Sequence, residues 1–153
     1  MRKVFFGFAV VQLVVVLAQF YLSTFGAFET PHPAPGDPDA AINYHVTNGS
    51  LVIPLVSLLT MITALAARAG GRLAGLSILP LALAAVQLFV IFPLAELAGA
   101  TDTATTTAGL VVMGFHALDG VAILAVAVVV VRRARALVKG APVAASTGTH
   151  VAA

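Results

Sequence analysis

The sequence contains no cysteine among its 153 residues. That excludes disulfides, thiolate metal ligands and cysteine nucleophiles. Charge is also scarce: 9% of residues are Asp, Glu, Lys or Arg, against about 25% in an ordinary soluble domain. So few charges cannot cover a globular surface, which excludes a soluble fold. A phosphate-cradling glycine loop, a nucleophile elbow and an HExxH segment are missing as well. The usual signatures of nucleotide hydrolysis, serine hydrolysis and zinc proteolysis go with them. No charged stripe marks a pore, so four helices of this size would form a channel only by oligomerising. Whether the chain is an enzyme stays open at this stage, and no catalytic residue is indicated.

What is present is apolar. Hydrophobic residues make up 60% of the chain, and the mean hydropathy is +1.05. Crossing a bilayer takes about 20 residues at 1.5 Å each, and four runs are that long, with approximate spans 4–25, 43–67, 73–95 and 107–131. The expectation is an all-α, four-helix transmembrane bundle forming one integral membrane domain in the lipid bilayer. Its orientation follows from the cations. Arg2 and Lys3 precede the first span, Arg68 and Arg72 separate the second from the third, and Arg132, Arg133, Arg135 and Lys139 follow the fourth. Glu29, Asp37, Asp39, Glu96 and Asp102 lie in the two remaining loops. Lys and Arg in short loops mark the cytoplasmic side, so both termini are expected in the cytoplasm. The same placement argues against nucleic acid as a partner, despite a net charge of +2.

At the N-terminus, MRKVFFGFAVVQLVVVLAQF is longer than the usual signal-peptide core and ends without a small-x-small cleavage site, so a retained helix is expected. Residues 140–153 lack periodicity and are expected to be a flexible tail. Four prolines between Phe28 and Ile42 exclude a continuous helix there. Asp37-Pro38-Asp39 is a candidate early start for the second helix.

One hexapeptide occurs twice. YHVTNG at 44–49 and FHALDG at 115–120 both read aromatic, His, small apolar, any residue, Asn or Asp, Gly, and their histidines are 71 residues apart. A second echo pairs AVVQLVVV at 9–16 with AAVQLFVI at 84–91, around Gln12 and Gln87. Two matches in the same order indicate an internal duplication: two similar helical hairpins related about an axis along the membrane normal.

Ionisable side chains inside spans are costly and usually face the bundle interior. The candidate cofactor-binding residues are therefore His45, His116, Gly49, Gly120, Gln12, Gln87, Asn48 and Asp119. Two neutral imidazoles from separate helices suit the two axial positions of a haem iron, making His45 and His116 the candidate metal ligands. Glycine one turn from each histidine removes volume, either for a flat cofactor or for a neighbouring helix. Gln12 and Gln87 are candidates for fixing the imidazole tautomers. Depth is the difficulty: His116 stands 16 residues before Arg132 and His45 stands 23 before Arg68, an offset of about 10 Å. The competing reading makes both hexapeptides packing devices, with His, Asn and Asp bonding between helices in a structural or accessory subunit of a larger complex. Quinone or lipid binding is a third possibility. His32 and His150 read as solvated, and a zinc site from His32 with nearby acids lacks regular ligand spacing.

The duplicated hexapeptides resemble those of a small, uncharacterised four-span membrane protein family of bacteria, common in actinobacteria. They also resemble, more distantly, one four-helix half of haem A synthase, in which outer-side histidines on paired helices ligate haem b. The resemblance covers residues 1 to about 135. It implies haem b as cofactor, His45 and His116 as its ligands, a bacterial cytoplasmic (inner) membrane location, and electron transfer with quinone or a larger membrane complex as partner, with homo-oligomers allowed. The catalytic glutamate of that enzyme has only Glu29 as a stand-in here, so the resemblance implies haem binding or electron transfer rather than haem modification.

Overall fold

A computed structural model describes residues 1–101 and 103–140. The tail expected at 140–153 and His150 lie outside the described residues, apart from Gly140. Four long helices account for most of the rest: α1 (Arg2–Phe28), α2 (Ile42–Ala66), α3 (Gly71–Leu97) and α4 (Thr107–Val138). The shortest has 25 residues, about 37 Å at the α-helical rise, and each exceeds the roughly 30 Å of a bilayer's hydrocarbon core. The chain is a multi-pass membrane protein with an all-α fold.

Each helix packs beside the next, and α4 returns to α1, so two similar hairpins, α1–α2 and α3–α4, close a four-helix bundle. The end where α1 begins and α4 finishes is tightly filled. Phe5, Ala9, Ala64, Leu73, Ala74, Val130 and Ala134 are buried there, and Val16, Ile53, Ile123 and Ala127 fill the next layer. Alanine dominates because association between helices in lipid depends on close backbone approach rather than on water exclusion. Buried hydroxyls are satisfied locally. Ser57, Thr60, Thr63 and Ser77 each donate to the carbonyl four residues earlier, at 2.7–2.9 Å.

Short connections set the hairpins. Arg68 and Gly70 both take positive φ (54° and 88°) in the turn between α2 and α3, a reversal that glycine makes without strain. At the start of α4, the Thr106 hydroxyl accepts from Gly109 N at 3.0 Å, a side-chain N-cap. A Cβ at Gly109 would come within 2.7 Å of Ala100 N, so glycine is what lets the loop lie against the helix. The Asp37-Pro38-Asp39 segment does not begin α2. Asp37 Oδ1 instead accepts from Asp39 N at 2.9 Å, a local turn. Glu29 Oε2 accepts from Ala41 N at 2.9 Å and ties the loop's two ends together.

Away from that end the hairpins part. Extensive contact between α2 and α3 is confined to Ile53–Ala66 and Gly71–Val86, whereas α1 stays with α2, and α3 with α4, beyond that level. The same device marks the level of parting in both inner helices. Asn48–Val52 of α2 and Gln87–Ile91 of α3 are π-helical, and Pro54 and Pro93 follow each by two residues. A proline ring clashes with the carbonyl four residues earlier. Here that residue is Ser50 or Phe89, each inside its π turn, where the extra residue swings the carbonyl aside.

Candidate functional site

Between the parted hairpins lies a cavity of about 430 Å³, lined by all four helices. His45 enters it from α2 and His116 from α4, with ring centres 6.0 Å apart and planes at 71°. The depth offset expected from the arginines is absent. Arg132 is not the end of its helix, since α4 continues to Val138. His45 stands 21 residues from the end of α2 and His116 stands 22 from the end of α4, about 32 and 33 Å along the axis.

The tautomer of His45 follows from a chain of groups with only one available role. The Val15 carbonyl can only accept, so the group 2.9 Å from it is the Asn48 amino group. That amino group also donates to Gln19 Oε1 at 2.8 Å, which turns the Gln19 amino group towards His45. Gln19 Nε2 lies 3.1 Å from His45 Nε2 and can only donate, so this ring nitrogen carries a lone pair. His45 Nδ1, 3.0 Å from the Gln19 carbonyl, carries the proton and donates it there. A backbone carbonyl holding one ring nitrogen and leaving the other bare is how proteins commonly orient a metal-ligating imidazole.

His116 is held differently. Phe92 packs against its ring with centres 5.2 Å apart, and its Nδ1 is buried with no hydrogen-bond partner among the described residues. Buried polar atoms are nearly always paired, so an orphan of this kind calls for a reason.

The remaining candidates fall into two groups. Gly49, Gly120 and Gln87 line the cleft with the histidines. Asn48 and Asp119 do not line it, and each bonds the first helix of its own hairpin. Asn48 holds α1, and Asp119 Oδ2 accepts from Gln87 Nε2 at 2.5 Å. Asp119 itself faces a separate apolar groove between α3 and α4. Gly49 is small for Gln19's sake, because a Cβ there would stand 2.6 Å from Gln19 Nε2. Gly120 faces the Phe20 ring, which a Cβ would meet at 3.6 Å, an ordinary contact.

Gln12 is the correction. It does not line the cleft but is fully buried deeper in the bundle, where its Nε2 donates to Ser57 Oγ at 3.0 Å and to the Ser77 carbonyl at 3.2 Å. The glutamine that serves the first hairpin as Gln87 serves the second is Gln19. One signal pointed to it: Gln19 is seven residues after Gln12, two turns along the same helical face.

The cleft is open laterally. Val46, Ser50 and Leu88 line it on the α2–α3 side, and Phe20 and Ala117 line it on the α1–α4 side, all of them exposed. Among the described residues no group of three or more His, Asp or Glu is arranged to hold a bare metal ion, and His32 is exposed in its loop. The model of a family of unknown function matches residues 19–95, a stretch that includes Gln19, His45, Asn48, Gly49 and Gln87. No curated protein and no solved structure matches the chain.

Proposed function

We propose that this chain, which belongs to the DUF6220 family, binds haem b between its two hairpins through His45 and His116 and carries single electrons within the membrane. The observation that supports this most is the 6.0 Å separation of the two duplicated imidazoles, contributed by different hairpins at matching depth. A metal–imidazole bond is about 2 Å long, so two imidazoles on opposite sides of one iron would have ring centres roughly 6 Å apart. The number of ligands also fits. A bare zinc ion wants three or four protein ligands, whereas a haem iron brings four nitrogens of its own and needs two.

The residues divide the work. The Gln19 carbonyl accepts the His45 Nδ1 proton and so leaves the lone pair on Nε2, where the Gln19 amide donates to it. His116, steadied by Phe92, offers the second imidazole, and its unpaired buried nitrogen is the kind of atom an incoming group would satisfy. Mostly apolar walls keep water from the centre, and the lateral openings leave room for the edge of a flat molecule. Haem, when bound, supplies the one-electron couple between ferric and ferrous iron. His45 and His116 would both hold the haem iron, which favours electron transfer over substrate chemistry at the metal.

A packing role accounts for part of the motif, since Gly49 makes room for Gln19 and Asn48 bonds α1. It leaves the two histidines facing each other, and the orphaned His116 nitrogen, without a reason. The test is to titrate the purified protein with haem and record the reduced-minus-oxidised spectrum. Wild type and His32→Ala should both develop the bands of a six-coordinate b-type centre, and His45→Ala and His116→Ala should each lose them. An unchanged spectrum in both variants would overturn the assignment.

A further inference from the structure

The Gln19 side chain occupies the one place from which a metal would be bound by His45. Its amino group sits 3.1 Å from the bare Nε2, its carbonyl oxygen is held by Asn48, and Gly49 supplies the space it fills. The same residue's backbone carbonyl holds Nδ1, so the tautomer does not depend on the side chain. Two functions are thus separated within one residue: the main chain orients the imidazole and the side chain covers its lone pair.

We infer that Gln19 is a placeholder that regulates loading of the cleft: its amide caps the lone pair of His45 Nε2 and must swing away for an iron to bind. This inference rests on the haem reading. An uncapped lone pair among apolar walls would be an unsatisfied polar atom, and a bare imidazole open to the bilayer would be free to take adventitious ligands. The amide satisfies the nitrogen and competes with the cofactor for it.

The competition gives opposite signs for affinity and stability, which a purely structural glutamine would not. Gln19→Leu keeps the residue's bulk and its backbone carbonyl but removes the cap. One hydrogen bond of ordinary strength would no longer oppose loading, so haem affinity should rise roughly 2- to 10-fold. The haem-free protein, deprived of bonds to His45 and Asn48, should melt at a lower temperature. Asn48→Ala releases the anchor of the same amide and should shift affinity in the same direction by less.

A second readout needs no haem. In protein labelled with ¹⁵N-histidine, the His45 signals (identified by their loss in His45→Ala) should show a protonated Nδ1 and a bare, hydrogen-bonded Nε2. In Gln19→Leu the Nδ1 proton should remain while Nε2 moves to the shift of a free lone pair. Haem binding by wild type that is unchanged or weakened in Gln19→Leu overturns the placeholder and leaves the haem site standing. A protonated Nε2 in the wild type overturns it as well. Failure of both wild type and Gln19→Leu to bind haem removes the site and the placeholder together.

Discussion

Gln12 and Gln19 lie two turns apart on one face of α1 and play different parts. Gln12 is fully buried, donates to Ser57 and Ser77, and keeps an oxygen without a partner among the described residues. Replacing it with Met should be mild, because the lost bonds and the removed orphan oxygen offset one another. The expected change in unfolding free energy is within about 1 kcal/mol, read by thermal melting in detergent, with haem affinity unaltered. A large loss of haem binding in Gln12→Met would place this residue in the site after all. The sequence echo around Gln12 and Gln87 pointed to the wrong glutamine for a physical reason. At Gln87 the helix widens into a π turn, whereas α1 is α-helical throughout, so equal strings do not stand at equal places in the two helices. His45, His116, Gly49 and Gly120 were legible because the hexapeptide repeats; the Gln19 amide was not, since its role depends on which helix α2 leans against.

Among the elements, the two π turns set the cleft. Each precedes a proline by two residues and begins with a side chain that bonds across its own hairpin, Asn48 or Gln87. Taking one residue out of a π turn rotates the helix on its N-terminal side by about 100° relative to the C-terminal side. Pro54→Ala removes the clash that favours the wider turn, and the regular helix it permits carries His45 off the cleft. Haem affinity should fall about tenfold, equivalent to about 1.4 kcal/mol of lost preorganisation, with helix content by circular dichroism unchanged. Equal affinity in Pro54→Ala would mean that the Asn48 bonds hold the turn without the proline. Helix positions were readable from hydropathy alone, but the π turns were not, and neither was the extension of α4 to Val138. Arginines mark where a chain meets the headgroups, not where its hydrogen bonds stop, and the apparent 10 Å offset arose from equating the two.

At the scale of the whole molecule, eight cations lie where α1 begins, where α4 finishes and around the turn between α2 and α3, while Glu29, Asp37 and Asp39 sit in the opposite loop and Glu96 in the last turn of α3. The positive-inside rule then predicts that the cleft opens towards the outer leaflet. Absence of native cysteine makes the check simple. A single cysteine at Asp37 should react with an impermeant reagent added outside intact cells, and one placed between Arg68 and Arg72 should not; the reverse pattern would invert the orientation. Such an asymmetric bundle is tightly packed where alanines meet near the start of α1 and the end of α4, and parted where the two histidines face each other. The arrangement suits the proposed binding of one haem between two similar hairpins.

The most direct measurement of that central claim is the electron paramagnetic resonance spectrum of the oxidised, haem-loaded protein. Two axial imidazoles make ferric iron low-spin. The wild type should therefore show a low-spin signal that turns high-spin in both His45→Ala and His116→Ala. A high-spin wild type, or a low-spin signal that survives both substitutions, would contradict ligation by this pair.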